Sequence, residues 1–479
     1  MASKNDKGIL FDKEKETNKW YTDVISKCDL IEYTDVSGCY ILKPKSQFMW
    51  DTIRIFMDAE FKKLGVKNAS FPLLIPEKLL TKEEEHVEGF APEVAWVTHA
   101  GSSKLSERLA IRPTSETIMY AAYSKWVRSY NDLPIRLNQW CSVVRWEFKN
   151  PMPFLRSREF YWQEGHTAFA TKKEADDEAH QILDIYEKVY SDLLAIPVLK
   201  GKKSDGEKFA GADYSLSCEV MLPIGKAIQG GTSHHLGQNF SKAFDIKFID
   251  RDEKEKFVYQ NSWGLSTRSL GVMIMMHSDS KGLVIPPRVA ENKVVIIPVL
   301  AKEGNDEILG ACEKIKSDLE VFDPIIDARE QYSYGWKLNE AELNGYPIRI
   351  EVGRRELAEK VVTIVRRDTL EKLKVPLDKL KDECTKLLDD IHTTLFNNAK
   401  KYLESSIVEE YDEQKIYELI KSGKVVKTVF DGSKLAEEKI KENSSGKTLV
   451  VPFDEKLKHK TCPFTKKDAK HIIYLAKSL

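Results

Sequence analysis

Between Arg145 and Phe169 the sequence reads RWEFKNPMPFLRSREFYWQEGHTAF, two strand-like stretches joined by a proline-bearing loop, with arginines, carboxylates and aromatics alternating through both. A period of two sends successive side chains to opposite faces of a sheet, so a hairpin is the local structure that fits. A hairpin with only structural work would carry Val, Ile or Thr at many of these positions. Here Arg145, Glu147, Arg156, Arg158, Glu159, Glu164 and His166 crowd together instead. The planar fork of arginine takes phosphate or carboxylate through two parallel hydrogen bonds, and neighbouring acids fix the orientation of each guanidinium. The segment therefore reads as an anion-binding hairpin. Phe148, Phe154, Phe160, Trp162 and Phe169 interleave with the charges and argue for burial against a solvated edge.

The flanking sequence sets the architecture around this hairpin. Phe48, Ile53, Phe56, Met57, Phe61 and Leu64 recur at mostly three- and four-residue spacing, which predicts an amphipathic helix over 46–64 that ends at Gly65. An apolar strand over 69–75 follows, and Pro72 inside it cannot donate to a ladder, so the strand belongs at an edge or an interface. Ala175, Ala179, Ile182, Leu183, Tyr186, Val189, Tyr190 and Leu193 form one stripe of a second helix over 174–194. Stretches 134–147, 154–169, 212–222 and 257–265 read as antiparallel strands, not as alternating βα units, so this part of the chain is expected to be α+β. The pattern changes after Pro286, Pro287 and Arg288. Strands over 293–300, 346–352 and 360–365 now alternate with helices over 306–319 and 377–402, which predicts a smaller α/β unit with a mainly parallel sheet. Beyond Tyr411 only short strands over 424–430 and 448–453 stand out.

Composition narrows the class. A chain of 479 residues is expected to hold roughly three domains. No apolar run approaches the length needed to cross a membrane, and the N-terminus MASKNDKGILFDKEKETNKW carries acids among its lysines, unlike a secretory signal or transit peptide. A cytoplasmic protein is expected. Its seven cysteines form no CxxC pair, which fits free thiols in a reducing compartment. A net charge of −1 excludes a protein that coats nucleic acid by bulk charge and leaves room for a local basic patch.

Three further clusters carry chemistry. Arg112-Pro113-Thr114-Ser115-Glu116-Thr117 opens a helical pattern, where Thr or Ser followed by Glu can serve as a cap. In Gln229-Gly230-Gly231-Thr232-Ser233-His234-His235 the paired glycines allow close backbone approach to a ligand. His234 and His235 point to opposite faces of a strand and make a poor zinc pair. Asn261-Ser262-Trp263-Gly264-Leu265-Ser266-Thr267-Arg268 runs from a strand into a helix, placing Arg268 near a helix N-terminus that favours an anion. Gly201 and Gly206 have P-loop spacing, but Glu207 and Lys208 replace the residues such a loop needs. No GxGxxG lies at a strand-to-helix turn, which argues against a Rossmann site.

A helix followed by a strand proline, an Arg-x-Glu hairpin and a strand-to-helix arginine together resemble the three motifs of class II aminoacyl-tRNA synthetases. FAPEVAWVT at Phe90, RPTSET at Arg112, QWCSVVRWEF at Gln139, PFLRSREFYWQEGHTAF at Pro153, EKFAGADY at Glu207, QGGTSHHLGQNFSKAF at Gln229 and QNSWGLSTRSLGVM at Gln260 are similar to the prolyl-tRNA synthetases of archaeal and eukaryotic cytosolic type. The resemblance covers about 20–403 and implies a class II antiparallel-sheet catalytic domain over 20–287 behind a flexible N-terminus over 1–19. An α/β anticodon-binding domain over 288–404 and a small C-terminal α/β domain over 405–479 would follow.

The same resemblance implies roles. Arg145 and Arg268 would be the catalytic cations, and Arg145, Glu147, Arg156, Ser157, Gln229, Thr232, Ser266 and Arg268 would bind ATP, with Mg²⁺ on its phosphates. Thr114, Glu116, Arg145, Trp162, Glu164, His166, Phe209 and His234 would bind L-proline: an aromatic wall suits the pyrrolidine ring, and carboxylates suit its ammonium. The implied partners are tRNA(Pro), with Lys337, Arg349, Arg354 and Arg355 as candidate RNA contacts, and a second copy of the chain through helix 46–64 and Pro72. The short span from Phe169 to Gln260 has no room for the large editing insertion of bacterial-type relatives. The tail departs from the family, which commonly carries four zinc-binding cysteines there and ends in tyrosine. Only Cys462 remains, with His459 and His471 nearby, so no zinc is expected, and Val425, Val429, Leu449, Val451, Ile473 and Leu475 are expected to hold that region. A sister ligase for threonine, histidine or glycine would share the three motifs with a different amino-acid pocket. A silent RNA-binding paralogue would be expected to lose an arginine of the ATP site, yet Arg145, Arg156 and Arg268 are all present.

Overall fold

A seven-stranded sheet organises the first part of the chain: β1 (Lys67–Asn68), β2 (Ile135–Val144), β3 (Glu159–Phe169), β4 (Leu199–Lys202), β5 (Tyr214–Leu222), β6 (Lys226–Gly237) and β7 (Tyr259–Ser266). This computed structural model describes residues 8–80, 93–301 and 303–479, so Phe90, Ala91 and Pro92 of FAPEVAWVT and residues 1–7 lie outside the described residues. The strand order is β1-β2-β3-β7-β6-β5-β4. Every pair is antiparallel except β1 with β2.

One face of this sheet is sealed by helices that the spacing predicts. Pro44–Lys63 buries Met49, Trp50, Ile53, Met57 and Phe61. Lys172–Lys188 starts from a capping box in which Thr171 and Glu174 each satisfy a backbone N–H of the other, and it buries Ala175, Ala179, Ile182, Leu183 and Tyr186. That helix does not run unchanged to 194: its end widens into the π-turn Val189–Leu193, which carries Tyr190 onto the backbone of Gly230, where its hydroxyl donates to the carbonyl at 3.1 Å. The strand expected over 69–75 is split. Lys67–Asn68 joins the large sheet, Leu74–Pro76 joins a separate three-stranded sheet with Trp96–Ala100 and Ser103–Ile111, and Pro72 between them has no N–H for either ladder.

The next region differs from the expected mainly parallel sheet. Val294–Pro298 pairs in parallel with Ile325–Ile326 and Ile348–Val352, but Ile348–Val352, Val361–Arg366 and Lys372–Pro376 pair antiparallel, giving a mixed five-stranded sheet. The connections after Val352 and Arg366 are shorter than the dozen or so residues a parallel return needs. Leu380–Ser406 covers it, burying Leu380, Cys384, Leu387, Ile391 and Leu395. Further on, helices Glu413–Lys421 and Lys434–Ser444, unforeseen in a charge-rich stretch, pack on a four-stranded sheet, with Val425, Val429, Leu449, Ile473 and Leu475 buried and Val451 packed against the core.

The leader expected to be flexible up to residue 19 is docked over its described part. Ile9 and Phe11 pack against the main core, and Lys13 Nζ donates to the carbonyl of Ser278 at 2.6 Å. Arg367 meets the Asp279 carboxylate through two bonds of 2.8 and 2.7 Å, tying the mixed sheet to the end of the helix Arg268–His277. Among the described residues no helix is long and apolar enough to cross a membrane.

Candidate active site

The register of β3, β7 and β6 lays a grid of side chains on the open face of the large sheet. Glu164 stands opposite Gly264 and Thr232 opposite the same glycine, while His166 and His234 flank Ser262 in the next row, and Trp162 pairs with Ser266. The period of two therefore turns 162, 164 and 166, 232 and 234, and 262, 264 and 266 to one side. They floor a cavity of about 440 Å³ whose walls add Thr114, Glu116, Arg145, Glu147, Phe160, Glu207, Phe209, Gln229 and Arg268. The other rows face the helices. A Cβ at Gly165 would lie 2.1 Å from the Trp263 ring, so that glycine makes room for an indole in the core.

Every sequence-predicted site residue borders this cavity except Arg156 and Ser157. Arg156 lies over the Phe148 ring at 5.8 Å and Ser157 is buried in the turn before β3. Gly230 and Gly231 border the cavity, where close backbone approach to a ligand is expected of them, and they also make room behind the strand. A Cβ at Gly230 would meet Tyr190 at 2.8 Å and one at Gly231 would meet Tyr186 at 2.9 Å, so both glycines admit tyrosines of the helix behind the strand.

One end of the cavity is built on Glu164. Its Oε2 accepts from Ser115 N at 2.9 Å and lies 3.1 Å from Thr114 Oγ1, while Oε1 accepts from Ser115 Oγ at 2.5 Å and Gln139 Nε2 at 3.1 Å. His166 Nε2 completes the set 3.0 Å from Oε2. A carboxylate ringed by donors is an acceptor only, which fixes the Nε2–H of His166 as the donor. Burial alone would raise the pKa of Glu164, but the His166 bond and charge and the Ser115 bonds hold it down to about 2. Burial also opposes charge on His166, yet Glu116 and Glu164 outweigh it and raise the imidazole above its ordinary value. Glu164 is thus occupied by protein donors, whereas Glu116 takes a short bond from Thr114 and keeps the rest of its carboxylate for the cavity.

Gln139 and Ser115 were missed as site residues. Ser115 holds the N-cap position of the helix Glu116–Trp126, but its hydroxyl serves Glu164 and caps no N–H of that helix among the described residues. Gln139 was legible in principle, since it lies on β2 at an even spacing from Arg145 just past the strand end, and it stands opposite Glu164. Its Oε1 also accepts a short bond from Phe71 N.

Two guanidiniums border the same cavity. Arg145 Nε donates to the Pro113 carbonyl at 3.0 Å, with the guanidinium 5.1 Å from the Trp162 ring centre. Arg268 opens its helix and donates to the carbonyls of Leu155 at 3.2 Å and Gln229 at 3.3 Å. Neither guanidinium forms an ion pair among the described residues, and burial lowers the pKa of Arg268. On the cavity wall Phe209 stacks on His234 at 4.7 Å. Burial, reinforced by Arg145, drops His234 to about 3, so its imidazole is neutral at physiological pH and meets Ser215 Oγ through Nδ1 at 2.7 Å. A carboxylate, an aromatic wall and guanidiniums around one cavity suit a small amino acid whose own carboxylate approaches an anionic second reactant.

The donor atoms of Glu116, Glu164 and His166 lie within 4.8 Å of one another. They suit a hard divalent cation poorly, because Glu164 already accepts from Ser115, Thr114 and Gln139 and the Nε2 of His166 is turned onto it as a donor. Of the candidate RNA contacts, Arg349 is committed to Glu342 and Glu351 at 3.0 Å each and Lys337 is buried, while Arg354 and Arg355 are exposed.

Known proteins share this architecture. The family described as tRNA synthetase class II core domain (G, H, P, S and T) matches residues 96–277, Anticodon binding domain matches 293–387, and Prolyl-tRNA synthetase, C-terminal matches 413–479. Proline--tRNA ligase 2 of Clostridioides difficile (strain 630) is 48% identical over 97% of this chain and 97% of its own length. The bifunctional glutamate/proline--tRNA ligase of Mus musculus is 47% identical over 93% of this chain, which spans only 31% of that longer protein. A crystal structure of prolyl-tRNA synthetase from Cryptosporidium parvum, complexed with halofuginone and AMPPNP, superposes with a TM-score of 0.95 at 43% identity, covering 100% of this chain and 99% of that one.

Proposed function

The chain belongs to the prolyl-tRNA synthetases, class II ligases of proline and tRNA, and from that membership we propose how its residues divide the work. Proline is activated with ATP and then transferred to the 3′ end of tRNA(Pro). In the first step a proline carboxylate oxygen bonds to the α-phosphorus as the bond to pyrophosphate breaks. In the second a ribose hydroxyl of the tRNA attacks the prolyl carbonyl and AMP leaves with the hydroxyl proton.

Neither step needs a protein nucleophile, so catalysis comes from alignment and from cations facing the charge that builds on phosphoryl oxygens. Arg145 takes the proline carboxylate and α-phosphate together, and Arg268 faces the phosphates from its helix N-terminus, with Glu147, Gln229, Thr232 and Ser266 along the nucleotide. Glu116 and Thr114 hold the ammonium, and Trp162, Phe209 and the neutral His234 wall the ring. The observation that carries this reading is that one cavity presents the Glu116 carboxylate together with two guanidiniums that have no ion-pair partner among the described residues. Mg²⁺ supplies charge to the triphosphate, and its ligands would come from phosphates and water, as Mg²⁺ prefers. Proline-dependent exchange of pyrophosphate into ATP tests the reading, and its absence in folded enzyme overturns it.

The remaining proposals concern organisation. The catalytic unit spans 20–287, the anticodon-binding unit 288–404 and the C-terminal unit 405–479, with exposed Arg354 and Arg355 toward RNA. Two copies associate through the surface bearing Ile55, Leu73 and Leu74, which are 71%, 46% and 39% exposed, and the enzyme works in the cytoplasm.

A further inference from the structure

The loop 203–210 has two faces. Its inner face lines the cavity through Glu207, Phe209 and Ala210, and Phe209 is fixed there by its stack on His234 and by its N–H donating to Ser215 Oγ at 2.9 Å. Its outer face is covered by residues that lie more than two hundred positions later. Lys202 and Val451 exchange both backbone hydrogen bonds, at 2.9 and 2.7 Å. Ser204 Oγ and Thr448 Oγ1 meet at 2.6 Å in a buried contact. Lys447 pairs with the cavity residue Glu207 at 3.3 Å. Glu437, on the helix Lys434–Ser444, presses so closely on the loop that a Cβ at Gly206 would come to 1.7 Å from its Oε2. Burial raises the pKa of Glu437, and bonds from Ser204 and the Gly206 N–H offset this in part.

Loops are usually held by the scaffold they spring from. This one contains no regular element between β4 and β5. We propose that the C-terminal unit braces the amino-acid pocket from outside, with Ser204, Glu437 and Thr448 as positioning residues that set the Phe209 wall against the bound proline ring. The proposal rests on the reading of Phe209 as part of the proline pocket. It assigns the C-terminal unit a part in substrate affinity, exerted through hydrogen bonds and shape without contact to the substrate. Gly206 is the residue that permits the fit, since any side chain there must displace Glu437.

The test is pyrophosphate exchange by the full chain, with KM for proline and for ATP measured separately. Gly206→Ala is expected to raise the proline KM about tenfold and leave the ATP KM and kcat within about twofold, the signature of lost amino-acid binding alone. In a Glu437→Ala background the same substitution is expected to add less than about twofold, because the colliding group is gone. Thr448→Val, which keeps the shape and removes the hydroxyl, is expected to raise the proline KM about threefold. Phe209→Ala is the reference. If it raises the proline KM while Gly206→Ala and Thr448→Val do not, the brace is overturned and the pocket stands. If Phe209→Ala leaves the proline KM unchanged, the pocket reading falls and the brace with it. Equal changes in both KM values also overturn the brace.

Discussion

Ser115 donates to Glu164 twice, from its backbone N–H to Oε2 at 2.9 Å and from its hydroxyl to Oε1 at 2.5 Å. The start of the helix Glu116–Trp126 and the interior strand β3 are thereby joined at a buried carboxylate, and Glu116 follows in sequence with its position set by that junction. Ser115→Ala removes one donor from an ionised, buried acceptor, which costs about 1–3 kcal/mol. The expected outcome is a lower denaturation midpoint and a proline KM raised more than the ATP KM. Unchanged stability and unchanged KM would show that Gln139, Thr114, His166 and the Ser115 backbone suffice to hold Glu164.

Arg145→Ala removes from the cavity a cation that has no ion-pair partner among the described residues. Adenylate formation is expected to fall on the order of 10²–10³-fold, matching the roughly 3–4 kcal/mol of one electrostatic contact to a developing anion. Folding should survive, because the bonds lost in the resting protein are one to the Pro113 carbonyl and the ring contacts with Phe160 and Trp162. Undiminished pyrophosphate exchange in the folded variant removes Arg145 from the mechanism.

Much of this site was legible because its side chains obey the pleat. Once 159–169 reads as a strand, Trp162, Glu164 and His166 share a face by period alone, and the same argument carries Thr232 with His234. The roles of Ser115 and Gln139 stayed hidden for a different reason: their partners lie across the fold, 49 and 25 positions away at Glu164. The glycines of β6 border the cavity as their spacing suggests, but that Tyr190 and Tyr186 fill the space behind them is not visible in sequence, which shows only that space is wanted. The mixed sheet after Val294 was read as mainly parallel since β-branched runs look alike in either direction. Only the short connections distinguish them.

The protein is expected to be a homodimer joined by an isologous contact across a twofold axis. Ile55, Leu73 and Leu74 stand exposed beside the helix Pro44–Lys63 and the break at Pro72. Sedimentation equilibrium at micromolar concentration measures this directly, and a monomer retaining full activity would reject it.

Stability is expected to fall as pH drops from about 6.5 toward 4. Burial lowers the pKa of His277 from the ordinary histidine value of 6.5 to about 4, against the opposing bond to the Leu194 carbonyl. In that window the unfolded chain binds a proton that the folded chain refuses, so acid favours unfolding, by on the order of 2 kcal/mol for this group. His277→Gln keeps a donor for Leu194 without a titrating ring. It should therefore lose less stability than the wild type between pH 7.5 and 4.5 in urea unfolding, and equal losses would acquit His277.

Purified without chelator, the protein is expected to hold no zinc in its last seventy or so residues, because a structural site needs about four converging N or S ligands. Cys462 lies inside an apolar cluster and His459 stacks on Tyr411 at 4.3 Å. One tightly bound zinc per chain by elemental analysis, with loss of secondary structure on its removal, would overturn this.

The backbone pairing of Lys202 with Val451 also bears on how the chain is made. β4 is the outermost strand of the large sheet, and on its free side the described partner is the segment around Val451. An outermost strand with unpaired N–H and carbonyl groups is a template for another chain. During synthesis the catalytic sheet can close as soon as β7 has emerged, but this rim stays open until nearly two hundred further residues have left the ribosome. Nascent or truncated chains lacking that stretch would therefore carry an adhesive border, and aggregation should set in at that point of the sequence and subside once Val451 is in place.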